Sequence, residues 1–126
     1  MIFRYAILYV RDVPATLDFY NRAFGIATRF LHPEGDYGEA ATGATRLAFS
    51  SVTLMRQLGK DVADDPAAAP AFEIAFETAD VAAALDRAMA AGAVLVQPAK
   101  VMDWGQTTAY VRTPDGTLVE ICTPTG

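Results

Sequence analysis

Glu120 is the residue whose setting first invites chemistry. It stands in Leu118-Val119-Glu120-Ile121-Cys122, a run dense in apolar and β-branched residues. On a strand, side chains alternate between faces, so Leu118, Glu120 and Cys122 share one side and Val119, Ile121 and Thr123 the other. Two placements fit a carboxylate there: a solvated Glu on an edge strand, or a Glu aimed into a ligand cavity. In a cavity it would serve as a base or attract a cation. The strand closes the stretch 104–124, WGQTTAYVRTPDGTLVEICTP. Residues 106–112 and 117–123 read as two strands. Thr113-Pro114-Asp115-Gly116 joins them, with proline second and glycine fourth, the preference of a type I turn.

The elements that must position this hairpin follow from the chain in order. Residues 2–10 are dense in Ile, Phe, Tyr and Val and predict a strand. Asp12 caps a helix with Pro14 in its first turn. Leu17, Tyr20 and Phe24 form one apolar stripe, Phe19 flanks it, and Gly25 ends it. A strand over 27–31 and a loop, His32-Pro33-Glu34-Gly35-Asp36, come next. Residues 37–41 and 46–50 predict a hairpin. The stretch 52–58 fits either a short helix or an irregular edge. Residues 59–70, GKDVADDPAAAP, have linker composition. Beyond them lie a strand over 71–78 and a helix capped by Asp80, with Val81, Leu85, Ala88, Met89 and Ala91 as apolar positions ending at Gly92. A strand over 94–97 leads to the final hairpin.

The two halves repeat. Tyr9-Val10-Arg11-Asp12-Val13 answers Glu77-Thr78-Ala79-Asp80-Val81, at a constant offset of 68 (Asp12 to Asp80). Leu17 meets Leu85 and Asp18 meets Asp86 at the same offset. Each half is strand, helix, then about three strands. One such half has a marginal core, and pairing two lets their sheets curl around a shared concave face.

Composition sets the boundaries. The 126 residues are 52% hydrophobic and 20% charged, which implies one globular domain. No apolar run reaches the roughly 20 residues of a membrane span. The first twelve residues carry Arg4 and Arg11 and no small-residue cleavage site, so they read as a strand and not a signal peptide. Cys122 is the only cysteine, which rules out an intrachain disulfide and fits a cytoplasmic setting. A net charge of −5 argues against nucleic acid as a partner.

The order and spacing of these pieces resemble the vicinal oxygen chelate superfamily, which includes glyoxalase I, bleomycin-resistance proteins and extradiol dioxygenases. The residues that carry the resemblance are Tyr9 to Val13, Leu17, Phe19-Tyr20 and Phe24-Gly25 in the first half. In the second they are Phe76 to Val81, Ala91-Gly92-Ala93, Trp104-Gly105 and the stretch from Pro114-Asp115-Gly116 to Val119-Glu120. The resemblance covers nearly the whole chain. It implies an α+β fold of two βαβββ modules, 1–58 and 71–126 with a linker at about 59–70, paired as one domain into a curved mixed sheet around a concave cavity. It also implies a homodimer.

Metal-using members of that superfamily draw ligands from four strands. Counting along the motif puts two commonly histidine positions at Tyr5 and Glu73, themselves 68 apart, and the final glutamate at Glu120. The fourth position falls within 47–50, which holds neither carboxylate nor imidazole. A neutral tyrosine is a poor ligand for Zn²⁺, Ni²⁺ or Fe²⁺. If any metal binds, Glu73 and Glu120 are the donors, holding a hard cation through waters. The sole histidine, His32, sits in a loop away from the pattern and receives no role.

Without a metal the cavity remains. Tyr5, Glu73, Trp104, Tyr110 and Glu120 would offer it aromatic faces and carboxylates, suited to a planar or cationic organic ligand. The expectation is a cytoplasmic small-molecule-binding protein like the bleomycin-resistance branch, with no cofactor and no membrane or nucleic-acid partner. The alternatives are a metal-dependent lyase, isomerase or dioxygenase, and a metal-free enzyme with Glu73 or Glu120 as base.

Overall fold

The computed structural model describes residues 1–125. The chain forms two compact units, Met1–Asp64 and Asp65–Gly126, divided inside the linker-like stretch. The fold is α+β, and the two units are similar.

In the first unit, β1 (Tyr5–Val10) leads to α1 (Val13–Phe24), then β2 (Thr28–Leu31), β3 (Tyr37–Ala40) and β4 (Arg46–Ser51). The sheet order is β1-β4-β3-β2, with β1 parallel to β4 and the other pairs antiparallel. Asp12 caps α1 through its carboxylate, which accepts from the Ala15 N–H at 3.0 Å. Gly25 ends it in the left-handed conformation at φ 71°, where its N–H donates to the Asn21 carbonyl. The helix packs on β3 and β4. Its Tyr20 ring meets Phe49 at 4.9 Å, both fully buried. Gly38 makes this closeness possible, because a Cβ there would lie 2.6 Å from Leu17 Cδ1.

The stretch after β4, open between helix and irregular edge, is a short helix, α2 (Val52–Gln57). Ser51 caps it by accepting from the Leu54 N–H at 3.0 Å, and Val52 and Met55 are buried.

The second unit repeats the plan with β5 (Glu73–Glu77), α3 (Val81–Ala90), β6 (Val94–Val101), β7 (Thr107–Arg112) and β8 (Leu118–Cys122). Its order is β5-β8-β7-β6, again with the first strand parallel to the last. Asp80 caps α3 as Asp12 caps α1, accepting from Ala83 N–H at 3.0 Å. The core holds Val81, Leu85, Ala88, Val111, Val119 and Ile121.

The final turn closes with the Gly116 N–H donating to the Thr113 carbonyl at 2.9 Å. Asp115 accepts from both flanking threonine hydroxyls, Thr113 and Thr117, at 2.6 Å. Gly116 sits at φ 94°, and a Cβ on it would lie 2.6 Å from the Pro66 carbonyl oxygen. Both the turn and the loop passing it at Pro66 therefore require glycine there.

Three expectations need adjustment. The first strand starts at Tyr5 and not at residue 2, because β4, its partner, starts at Arg46. The strand expected at 94–97 runs on to Val101, through Pro98; β6 is an edge of its sheet, where a missing N–H is tolerated, and its register shifts between Gln97 and Lys100. Met89, counted with the apolar face of α3, is exposed. Among the described residues no helix is long and apolar enough to cross a membrane.

Candidate functional site

Alternation decides which side chains each sheet presents away from its helix. On β8, Val119 and Ile121 are buried in the core, which leaves Leu118 and Glu120 on the opposite, open face. On β7, Ala109 and Val111 go inward, so Tyr110 shares the open face. Tyr110 and Glu120 are direct cross-strand partners, and the Tyr110 hydroxyl donates to Glu120 Oε2 at 2.7 Å. Parallel pairing puts Ala75 opposite Glu120 and Glu73 opposite Leu118, on the same face.

Glu73 and Glu120 are neighbours on this face, near enough for hydrogen bonding between their carboxyls to act on the Glu73 pKa. Desolvation against the sheet, then that bond and the like charge, hold the Glu73 carboxyl above the ordinary carboxylate range. Glu73 is exposed as a residue, so the contact with Glu120 is the cause that geometry supports best. The hydrogen bond to Glu120, with burial and charge behind it, pushes Tyr110 up to about 12. Burial, then Glu120, raises the Cys122 thiol, which donates to the Phe76 carbonyl oxygen at 3.8 Å. It stays protonated and is no nucleophile.

The first unit carries a cluster that the sequence reading missed. Gly38 faces α1, so Tyr37 and Glu39 point to the other side of β3. Glu39, whose side chain is only 8% exposed, accepts from Arg29 Nη1 at 2.7 Å on Oε1 and from the Tyr37 hydroxyl at 2.7 Å on Oε2. Arg46 Nη1 approaches the same Oε1 at 3.6 Å. The Arg46 guanidinium also lies over the Tyr5 ring, 5.9 Å from its centroid. Burial first, then Glu39, pushes Tyr37 up to about 12. The available signal was the one that drew attention to Glu120: a lone carboxylate inside a strand otherwise free of charge.

The repeat aligns the two open faces. Ile7, Ala48, Glu39 and Phe30 form one row across the first sheet. Ala75, Glu120, Tyr110 and Gln97 form the matching row in the second. Ala48 therefore holds the place of Glu120, and it is the position in 47–50 that the sequence left open. Leu47 and Phe49 are buried on the helix side.

Of the five expected site residues, Glu73, Tyr110 and Glu120 come together in the second unit. Tyr5 belongs to the first unit, under Arg46. Trp104 lies in the turn between β6 and β7, is 66% exposed, and donates its indole N–H to Gln106 Oε1 at 2.8 Å. It is not a core residue.

As a transition-metal set these residues fit poorly. Tyr5 is a phenol engaged by a cation, Ala48 has no donor, and the Glu73 carboxyl is pushed above its ordinary pKa. Elsewhere, ligand atoms of His32, Glu34 and Asp36 lie within 4.8 Å of one another. That group is a hydrogen-bonded loop turn, with Gly35 N–H donating to the His32 carbonyl at 2.8 Å.

Two βαβββ units, each with a helix on one sheet face and polar side chains on the other, define the class of paired-module proteins. Residues 2–121 match the Glyoxalase/Bleomycin resistance protein/Dioxygenase superfamily, and the chain belongs to it. A glyoxalase-related enzyme from Fulvimarina pelagi is 27% identical, with a TM-score of 0.82 over 96% of this chain and 86% of that one. A protein of unknown function from Agrobacterium tumefaciens str. C58 is 26% identical, with a TM-score of 0.79 over 98% and 94%. TioX from Micromonospora sp. ML1 shares the fold at 22% identity, with a TM-score of 0.72 over 98% of both chains. No curated protein matches the chain.

Proposed function

We propose that this protein binds a small organic molecule on its open sheet faces and does so without a catalytic metal. The observation that carries this reading is the Tyr110–Glu120–Glu73 group: side chains turned away from the core, two of which, Glu73 and Glu120, stand at positions where metal-using relatives place ligands, with the Tyr110 hydroxyl donating to Glu120. Within the same unit Trp104 adds exposed aromatic surface, and Tyr5 offers the like on the open face of the first unit. A ligand-detecting thermal-shift screen on the purified protein tests it, since binding to the native state alone raises apparent stability, by about 2.7 kcal/mol at a hundredfold excess over Kd. A broad screen without a single stabilising compound would refute it.

A second reading is metal-free acid–base catalysis. The Glu73 carboxyl, pushed up by its setting beside Glu120, favours it, because a carboxyl held above its usual range is the better proton carrier. Turnover of candidate substrates, with and without added metal, separates this from binding alone and from a metal-dependent lyase, isomerase or dioxygenase.

The assembly proposed is a cytoplasmic homodimer. Exposed apolar side chains lie along the sheet edges, Ile7 on β1 and Val94 and Val101 on β6. Light scattering at micromolar concentration is expected to give twice the chain mass, and a monomer mass would refute it.

A further inference from the structure

Arg29, Arg46 and Glu39 carry more positive charge than their own contacts use. One buried carboxylate faces two guanidinium groups, and Tyr37, pushed up to about 12, is neutral at physiological pH. The group therefore holds one net positive charge, in a chain whose total is −5. Each guanidinium has five N–H donors, yet both reach a single oxygen of Glu39. The Arg29 side chain is 47% exposed and that of Arg46 25%, so donors remain open to the face.

Local structure holds them there. The register shift between Thr28 and Phe30 turns Arg29 to the side of Phe30, which pairs with Glu39. Arg46 pairs with Tyr5 across β1 and β4 and rests over its ring. Flat apolar surface flanks the charges on both sides. Tyr5 lies beneath Arg46, and the Phe30 ring stands 6.4 Å from that of Tyr37, with Phe30 and Tyr5 both exposed. The acidic side chains of Glu34 and Asp36 lie in the loop before β3, beyond its Tyr37 end.

We propose that Arg29 and Arg46 hold the carboxylate of a flat aromatic acid, bound against Tyr5 and Phe30 on the open face of the first sheet. Paired N–H donors on a planar guanidinium match a carboxylate, and the rings supply stacking area. The inference rests on the reading that the open faces bind a small organic molecule, and it names the charge of that molecule.

Calorimetric titration of the full chain with 2-naphthoate, 2-naphthamide and 2-naphthylmethylammonium tests it. The acid is expected to bind at least about tenfold tighter than the amide, the scale of one hydrogen bond to a charged group. Arg29→Gln and Arg46→Gln should each remove about that factor for the acid and leave the amide unchanged, with folding checked by circular dichroism. Glu39→Gln, which removes the competing internal carboxylate, should strengthen acid binding; a purely structural role for the cluster predicts no gain. Should a variant fail to fold, Arg29→Lys and Arg46→Lys keep the charge and test the lost fork geometry.

Equal binding of acid and amide, preference for the ammonium, or an acid preference that survives loss of both arginines would overturn the inference while leaving small-molecule binding intact. If none of the three binds but the thermal-shift screen yields ligands indifferent to the arginine variants, the inference also falls alone. If the screen too is empty, the underlying reading falls with it.

Discussion

In the first unit Glu39 meets Tyr37 at 2.7 Å and two arginines close on its other oxygen; in the second, Glu120 meets Tyr110 at 2.7 Å and its other neighbour is the carboxyl of Glu73. The sheets share one topology and one alternation, so the backbone alone would give their open faces the same character. Side chains at a few matching positions make them opposite. Glu39 and Tyr110 occupy one such position, Ala48 and Glu120 the next, and Tyr5 and Glu73 the third. A duplicated scaffold thus carries a carboxylate faced by cations in one half and two neighbouring carboxyls in the other.

The sharpest way to break this comparison is to remove each carboxylate. Glu39→Leu leaves Arg46 and the Tyr37 hydroxyl without their acceptor, and should cost about 2–3 kcal/mol, less than a fully buried pair because Arg29 reaches solvent. Glu120→Leu should cost under about 1 kcal/mol, because it relieves a like-charge contact and Tyr110 can turn to water. Denaturant midpoints measure both. Equal costs would mean that the two faces are energetically alike.

Trp104→Ala comes next. The side chain is exposed, so stability should hold, while ligand affinity should fall by about 1–3 kcal/mol if the indole is an aromatic anchor. As the only tryptophan, it should also report ligand by a change in fluorescence. Unchanged affinity would remove Trp104 from the site.

A smaller effect sharpens the account of the carboxyl pair. Folding raises the Glu73 pKa, so its contribution is present at acid pH and lost as pH rises through the folded value. Glu73→Gln keeps a donor toward Glu120 at every pH. The variant should match the parent near about pH 4 and exceed it at neutral pH by up to about 0.5 kcal/mol, the scale of an exposed charge contact. A constant difference across that range would show that folding does not raise the Glu73 pKa.

What the sequence made legible was local. Asp12 and Asp80 as caps, Gly25 as a stop, and the Thr113–Gly116 turn each act within a few residues, and the structure carries all of them. The offset of 68 exposed the module repeat because related local signals occur twice. The site is less legible because its contacts are not local. Arg29, Glu39 and Arg46 come from three strands and meet only through the β2–β3–β4 register, including a shift at Thr28. Glu73 and Glu120 meet through a parallel pairing whose register no turn fixes. The strand past Pro98 was hidden for a related reason, since proline speaks against a strand until its place at a sheet edge is known.

The central claim is that the residues at the metal positions of this superfamily now serve binding without a metal. Elemental analysis of the purified protein, with affinity for a screened ligand measured before and after exhaustive chelation, tests it most directly. The account predicts well under one transition-metal ion per chain and the same affinity on both sides of the treatment. Stoichiometric metal, lost on chelation together with binding, would contradict it.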